Sequence, residues 1–133
     1  MAKRVSKEQR IIISFPEYDG AGIYIIRNTT TGKVYIGSSR HILRRAKAHD
    51  QTFRSGTCNE KFKEDIQKGH KFVCEVVEKY SKITRYELRD KEEYYVRKYN
   101  AYKEGYNIAF VPTYNPQYYT NNKEVYEWLN EEM

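Results

Sequence analysis

The stretch that decides the fold is Gly22-Ile23-Tyr24-Ile25-Ile26-Arg27-Asn28-Thr29-Thr30-Thr31-Gly32-Lys33-Val34-Tyr35-Ile36-Gly37. Two runs rich in Ile, Val and Tyr flank a polar segment that closes on Gly32, the pattern of a β-hairpin with a short loop. Neither run alternates cleanly between apolar and polar residues, so both sheet faces are expected to be covered and the strands to be central. A four-residue loop Asn28 to Thr31, with Gly32 free to take φ > 0 at its end, would set Tyr24 directly across from Tyr35. Two phenols would then share one face, as an aromatic cross-strand pair contributing a few tenths to about 1 kcal/mol or as working groups.

Downstream of Gly37, Ser38 or Ser39 is placed to cap a helix reaching about Phe53. On a 100° wheel Ile42, Ala46, His49 and Phe53 fall within about 60° of one another and define its buried stripe, with Arg45 just off its edge. Arg44 and Lys47 point elsewhere. A histidine in such a stripe is ordinarily a satisfied core residue, and a marginal arginine ordinarily snorkels to water. Gly56 and Cys58 interrupt the pattern, and Asn59 starts a shorter helix, Phe62 and Ile66 sharing a face, that Gly69 stops. Lys71 to Glu78 is a third long strand.

Thr84-Arg85-Tyr86-Glu87 is a capping box opening a helix to about Tyr99, with Leu88, Glu92, Tyr95 and Tyr99 on one covered face. An unpaired carboxylate there costs on the order of several kcal/mol, so Glu92 must be protonated, paired with a cation such as Arg45, or bound to a metal ion. Glu93 beside it faces solvent.

At the ends, Met1 to Arg10 is a basic arm suited to phosphate contact, and Ile11 to Phe15 adds an edge strand that Pro16 ends. Gly105 to Phe110 is expected to return to the sheet. Beyond Pro112 and Pro116, Asn121 or Asn122 caps a last helix with Val125, Trp128 and Leu129 on one face. That tail is read as packing on the domain; base stacking by Tyr114, Tyr118 and Tyr119 is the alternative. The expected organisation is a basic arm over 1–19, one domain over 20–110 and a tail over 111–133.

The chain has 133 residues, enough for one core and little more. Residues 1–50 hold ten Lys/Arg against four Asp/Glu, whereas residues 51–133 hold fourteen of each, so the whole excess of +6 lies in the first fifty residues, the basic arm together with the hairpin and the helix after it. That asymmetry suits a surface meeting a polyanion such as a nucleic-acid backbone. No run resembles a signal peptide or a membrane span. Cys58 and Cys74 match neither a metal-ligand spacing nor a disulfide framework and are read as ordinary thiols in a reducing cytosol.

Together the polar residues converge on phosphodiester chemistry. A metal on Glu92 stabilises a leaving oxygen, Arg45 neutralises charge on phosphorus, and a phenol positions or deprotonates water. Gly22-Ile23-Tyr24 and Tyr35-Ile36-Gly37 resemble the paired motifs that name the GIY-YIG nuclease family. Arg44-Arg45-Ala46-Lys47-Ala48-His49 resembles the family's catalytic helix, with Arg45 ten residues after Tyr35 and His49 four later. Glu92-Glu93-Tyr94-Tyr95-Val96 resembles its metal-binding segment, and Gly105-Tyr106-Asn107-Ile108 its closing Gly-Tyr-Asn.

The resemblance covers roughly Gly20 to Phe110 and is greatest to the catalytic domains of phage and mobile-intron homing endonucleases. It implies a small α/β (α+β) fold, a three-stranded antiparallel sheet flanked by helices. It implies Tyr24 as general base or water-orienting phenol beside Tyr35, Arg45 on the scissile phosphate, and His49 tuning a phenol or relaying a proton. Glu92 would hold one Mg²⁺ or Mn²⁺, and Asn107 would brace the site. Arg27, Lys33, Arg40, Arg44 and Lys47 are the candidate DNA contacts. DNA is the expected partner, with no membrane and no small-molecule cofactor, in the cytosol of a bacterial or phage-infected cell. A restriction or repair nuclease, or a basic nucleic-acid-binding protein that keeps the fold without cutting, are the alternatives.

Overall fold

The hairpin forms the middle of the molecule. In a computed structural model describing residues 11–108, the elements run β1 (Ile13–Ser14), β2 (Ala21–Asn28), β3 (Val34–Ser39), α1 (Ile42–Ser55), α2 (Glu60–Gln67), β4 (Phe72–Tyr80) and α3 (Arg85–Lys98). The sheet order is β1-β4-β2-β3. β2 pairs antiparallel with both β3 and β4, the expected three-stranded sheet, while the two residues of β1 add a short fourth strand parallel to β4. The edge strand expected over Ile11 to Phe15 is therefore only two residues long.

Alternation along β2 explains why it is buried almost throughout. Tyr24 and Ile26 join a core with Ile42, Ala46, Phe53, Phe62 and Phe72, under α1 and α2. Ile23 and Ile25 join the other core with Ile36, Leu88, Tyr95 and Val96, under α3. The sheet is thus sandwiched between helices, as the unbroken apolar runs require.

The hairpin register differs from the expected one by two residues. Tyr24 pairs with Gly37 and Ile26 with Tyr35, and Asn28 N–H donates to Lys33 O at 2.9 Å, so the loop is Thr29–Gly32. Asn28 decides this: its Oδ1 accepts from Thr30 N–H (2.8 Å) and Thr31 N–H (3.1 Å), an Asx turn starting one residue later than expected. A shift of two keeps every side chain on its face. The phenols are consequently diagonal neighbours, ring centroids 6.4 Å apart.

Helix α1 is capped from a distance. Ser39 ends β3 and its Oγ accepts from His41 N–H, so neither serine caps the helix and His41 takes the N-cap position without a side-chain cap bond. Asp19 supplies the cap instead, Oδ1 accepting from Arg44 N–H at 3.0 Å, and Gly20 O accepts from Ile42 N–H. Asp50 of α1 is 1 % exposed. Its Oδ1 accepts from Ile12 and Ile13 N–H at 2.7 and 2.8 Å, and Oδ2 lies 3.0 Å from Arg54 Nε. A carboxylate outside the expected stripe thus ties the N-terminal strand to the helix.

The other elements follow local chemistry. Asn59 caps α2, and both halves of the Thr84/Glu87 capping box form on α3. Tyr99, expected on the covered face, lies just past α3 and is 38 % exposed. Glu93 is not free in solvent either, accepting from Arg97 Nε and the Tyr102 hydroxyl. Cys58 is half-buried and Cys74 buried, both as thiols. No strand forms at Gly105 to Ile108. The expectations for Met1 to Arg10, for Ala109 and Phe110 and for the tail fall outside the described residues. Among those described, no helix is long and apolar enough to cross a membrane.

Candidate active site

The site sits at the open edge of β3, the outermost strand on that side of the sheet. An edge lets side chains from both faces reach one space. Tyr35 and His49 come to it from the α1 face and Glu92 from α3, and these three line a cleft of about 500 Å³ with Phe53, Phe62 and Asn107.

Two glycines make the arrangement possible. Gly37 lies opposite Tyr24, and a Cβ there would sit 2.3 Å from Tyr24 Cζ, inside the ring's own volume. At Gly22 a Cβ would lie 2.0 Å from Glu78 O, where β4 pairs with β2 beside the register irregularity between Ile23 and Tyr24. Both are positions where another backbone or ring approaches too closely for a side chain.

Tyr24 is 1 % exposed. Its hydroxyl is 2.9 Å from His49 Nε2, and the Tyr35 and His49 rings meet edge-on at 5.2 Å. Burial lowers the His49 pKa to about 4, with help from the Arg45 charge, so the imidazole is neutral near pH 7. A neutral ring can accept the Tyr24 proton at Nε2 or donate there, according to tautomer. Burial raises the Tyr35 phenol to about 12 and Tyr24 well above its ordinary value, while Arg45 pulls both down.

Arg45 is half-buried, and among the described residues no carboxylate lies within ion-pair distance of it. It is therefore not the partner of Glu92. That role belongs to Ser38, whose hydroxyl donates to Glu92 Oε1 at 3.0 Å. Glu92 is half-buried, and burial raises its pKa against the lowering effects of the Arg89 charge and the Ser38 hydrogen bonds. Asn107 pairs with the strand edge as another strand would: Oδ1 accepts from Ile36 N–H at 2.8 Å and Nδ2 donates to Ile36 O at 2.9 Å. Lys61 Nζ holds that segment through the Asn107 and Tyr102 carbonyls.

Tyr24, Tyr35, Arg45, His49 and Glu92 are thus brought together, with Asn107 bracing the strand beneath them. Of the candidate DNA contacts, Arg40, Arg44 and Lys47 are exposed at or on α1, Lys33 is exposed in the hairpin turn, and Arg27 pairs with Glu75 at 3.0 Å. Sequence reasoning missed Ser38 and Arg89. Arg89 was detectable at i−3 from Glu92 on a helix, whereas Ser38 gave no signal of its own.

A mixed sheet between helices, with two phenols, an imidazole, an unpaired guanidinium and one carboxylate at its edge, is the constitution of a nuclease-type catalytic domain. The chain belongs to the GIY-YIG family: residues 20–107 match the family's model, described as the GIY-YIG catalytic domain. It is 33 % identical over 93 residues to intron-associated endonuclease 1 of Enterobacteria phage T4, covering 67 % of this chain but 37 % of that protein. Two solved structures are similar, both of the catalytic domain of intron endonuclease I-TevI. A mutant form has TM-score 0.62 and 30 % identity over 67 % of this chain and 93 % of its own. The other has TM-score 0.61 and 29 % identity over 68 % and 99 %.

Proposed function

We propose that this chain is a divalent-metal-dependent endonuclease of the homing type that hydrolyses phosphodiester bonds in DNA. The observation carrying this reading is the meeting of groups from opposite sheet faces at the β3 edge: an unpaired guanidinium, a buried phenol–imidazole unit and a half-buried carboxylate. Each would be costly to keep there without a task.

Arg45 binds the scissile phosphate and offsets the charge that develops on it. Tyr35, lining the cleft, positions the attacking water. Tyr24, His49 and Tyr35 form one proton-handling unit in which the neutral imidazole exchanges a proton with the Tyr24 hydroxyl. Asn107 holds β3, and so Tyr35, in place.

Glu92 is the residue that would hold a metal ion. Among the described residues it is the one carboxylate lining the cleft, and no group of three or more His, Cys, Asp or Glu among them could hold an ion alone. That donor set fits a hard cation such as Mg²⁺ or Mn²⁺, which takes few protein ligands and fills the rest with water and phosphate oxygens. When bound, the ion supplies Lewis-acid stabilisation of the leaving oxygen. Lys33, Arg40 and Lys47, which lie in no ion pair among the described residues, contact phosphates flanking the cut, and Arg27 and Arg44 join them by exchanging Glu75 and Asp19 for phosphate oxygens.

Plasmid cleavage with Mg²⁺ or Mn²⁺ tests the reading. Arg45→Ala and Glu92→Gln should abolish nicking with circular dichroism unchanged. DNA binding by wild type without cleavage under either metal would mark a binding protein on this fold and overturn it.

A further inference from the structure

A second cleft opens at the other end of α1, and of the residues that line it only Arg40 has a part in the reading above. It is lined by Tyr18, Gly20, Ala21, Arg40, His41, Lys79, Tyr80 and Ser81, with a volume of about 770 Å³. Three of these are basic and none is acidic. Arg40, His41 and Lys79 are exposed, and among the described residues none of them lies in an ion pair. Arg40 Nη2 donates to Ile83 O at 3.3 Å, and Lys79 Nζ stands 4.9 Å over the Tyr18 ring. The nearby carboxylate, Asp19, is committed to Arg44 at 3.0 Å.

The floor is rigid. Tyr18 donates its hydroxyl to Ala21 O at 2.6 Å, and Gly20 leaves room for that ring, since a Cβ there would meet Tyr18 Oη at 2.4 Å. The helix terminus itself is not the attraction, because Ile42 and Arg44 N–H are already taken by Gly20 O and Asp19. What remains is a concave surface with two cations, Arg40 and Lys79, that have no ion-pair partner among the described residues, Lys79 standing over the Tyr18 ring and His41 beside them.

Its place relative to the active site indicates the occupant. His41, Arg45 and His49 stand four residues apart along α1. His41, at the lip of the second cleft, therefore stands about 6 Å along the helix axis from Arg45, about one helical turn and within reach of the same DNA strand. Arg40 and Lys79 come from different elements, the end of β3 and β4, so their convergence is a property of the fold and not of a local basic run.

We propose that the cleft formed by Tyr18, Arg40, His41 and Lys79 is a phosphate-binding subsite that seats the DNA backbone next to the phosphate being cut. It builds on the endonuclease reading by fixing how the strand runs along α1. The subsite reads no base, because its groups meet phosphate and not base edges.

The test is salt-dependent binding of a short duplex to the Glu92→Gln protein, followed by fluorescence anisotropy between 50 and 200 mM salt. Adding Arg40→Ala and Lys79→Ala should weaken binding at 50 mM at least tenfold and lower the slope of log K against log salt by about 0.9, the loss of one phosphate contact. Removing the half-buried Lys63 of α2 and the exposed Lys68 at its end instead, Lys63→Ala with Lys68→Ala, should leave the slope unchanged. An unaltered slope in the Arg40/Lys79 variant, or an equal fall in the Lys63/Lys68 control, overturns the subsite. Those binding results stand apart from cleavage. Failure of the wild type to cut DNA removes the endonuclease reading, whereas an unaltered slope in a protein whose wild type cuts removes only the subsite.

Discussion

Gly37→Ala would place a methyl group where the Tyr24 ring now lies. The new Cβ would be 2.3 Å from Cζ and 2.4 Å from Oη, so the ring must withdraw by more than 1 Å to reach ordinary contact at about 3.5 Å. The Tyr24 hydroxyl is only 2.9 Å from His49 Nε2, and a displacement of about 1 Å takes that pair beyond hydrogen-bond range. Overpacking of this kind costs about 1–3 kcal/mol, and the lost hydrogen bond about 1 kcal/mol more. A loss of about 2–4 kcal/mol in a domain of this size lowers Tm by about 10–25 °C. Thermal unfolding followed by circular dichroism measures the first effect, and plasmid nicking at a temperature where both proteins are folded measures the second, expected to fall at least tenfold. Trimming the ring should relieve the clash, so Gly37→Ala should cost less in a Tyr24→Leu background than alone. A Gly37→Ala protein that melts and cuts like wild type would refute the account of why this motif ends in glycine.

Two further outcomes follow from the same geometry. The folded His49 pKa, about 4, lies below its unfolded value near 6.5, so the unfolded chain binds the extra proton first on acidification. Stability should be full above about pH 6.5 and fall towards pH 4 by about 3 kcal/mol at most. Glu92, raised by burial, works in the opposite sense, so the difference in Tm between wild type and His49→Gln across this range isolates the histidine; parallel curves would count against it. Asn107→Ala should leave the Ile36 N–H and C=O unpaired, costing about 2–4 kcal/mol by thermal unfolding. Asn107→Asp should recover little of this, since a carboxylate cannot donate to Ile36 O; full recovery would contradict the pairing.

The hairpin, the capping box of α3 and the covered faces carrying Arg45, His49 and Glu92 were legible from local pattern, because periodicity reports which face a side chain occupies. The partner across the gap was not legible. Arg45 was a candidate partner for Glu92 and Ser38 holds that place, since a serine beside a helix start looks like a cap until β3 is seen to run through it. Asp50 carried no signal, because the backbone N–H groups that justify its burial lie 37 and 38 residues away.

By itself the sequence determined the hairpin, the three helices and the third long strand, most of their buried faces and the set of reactive groups, all consequences of interactions within a few residues. Only the tertiary structure decided the register that puts Tyr24 opposite Gly37, the distant cap from Asp19, and the edge position of β3 that lets Glu92 share a cleft with Tyr35. Those depend on which segments meet, and a two-residue slip that leaves every face unchanged is invisible to any pattern read along one chain.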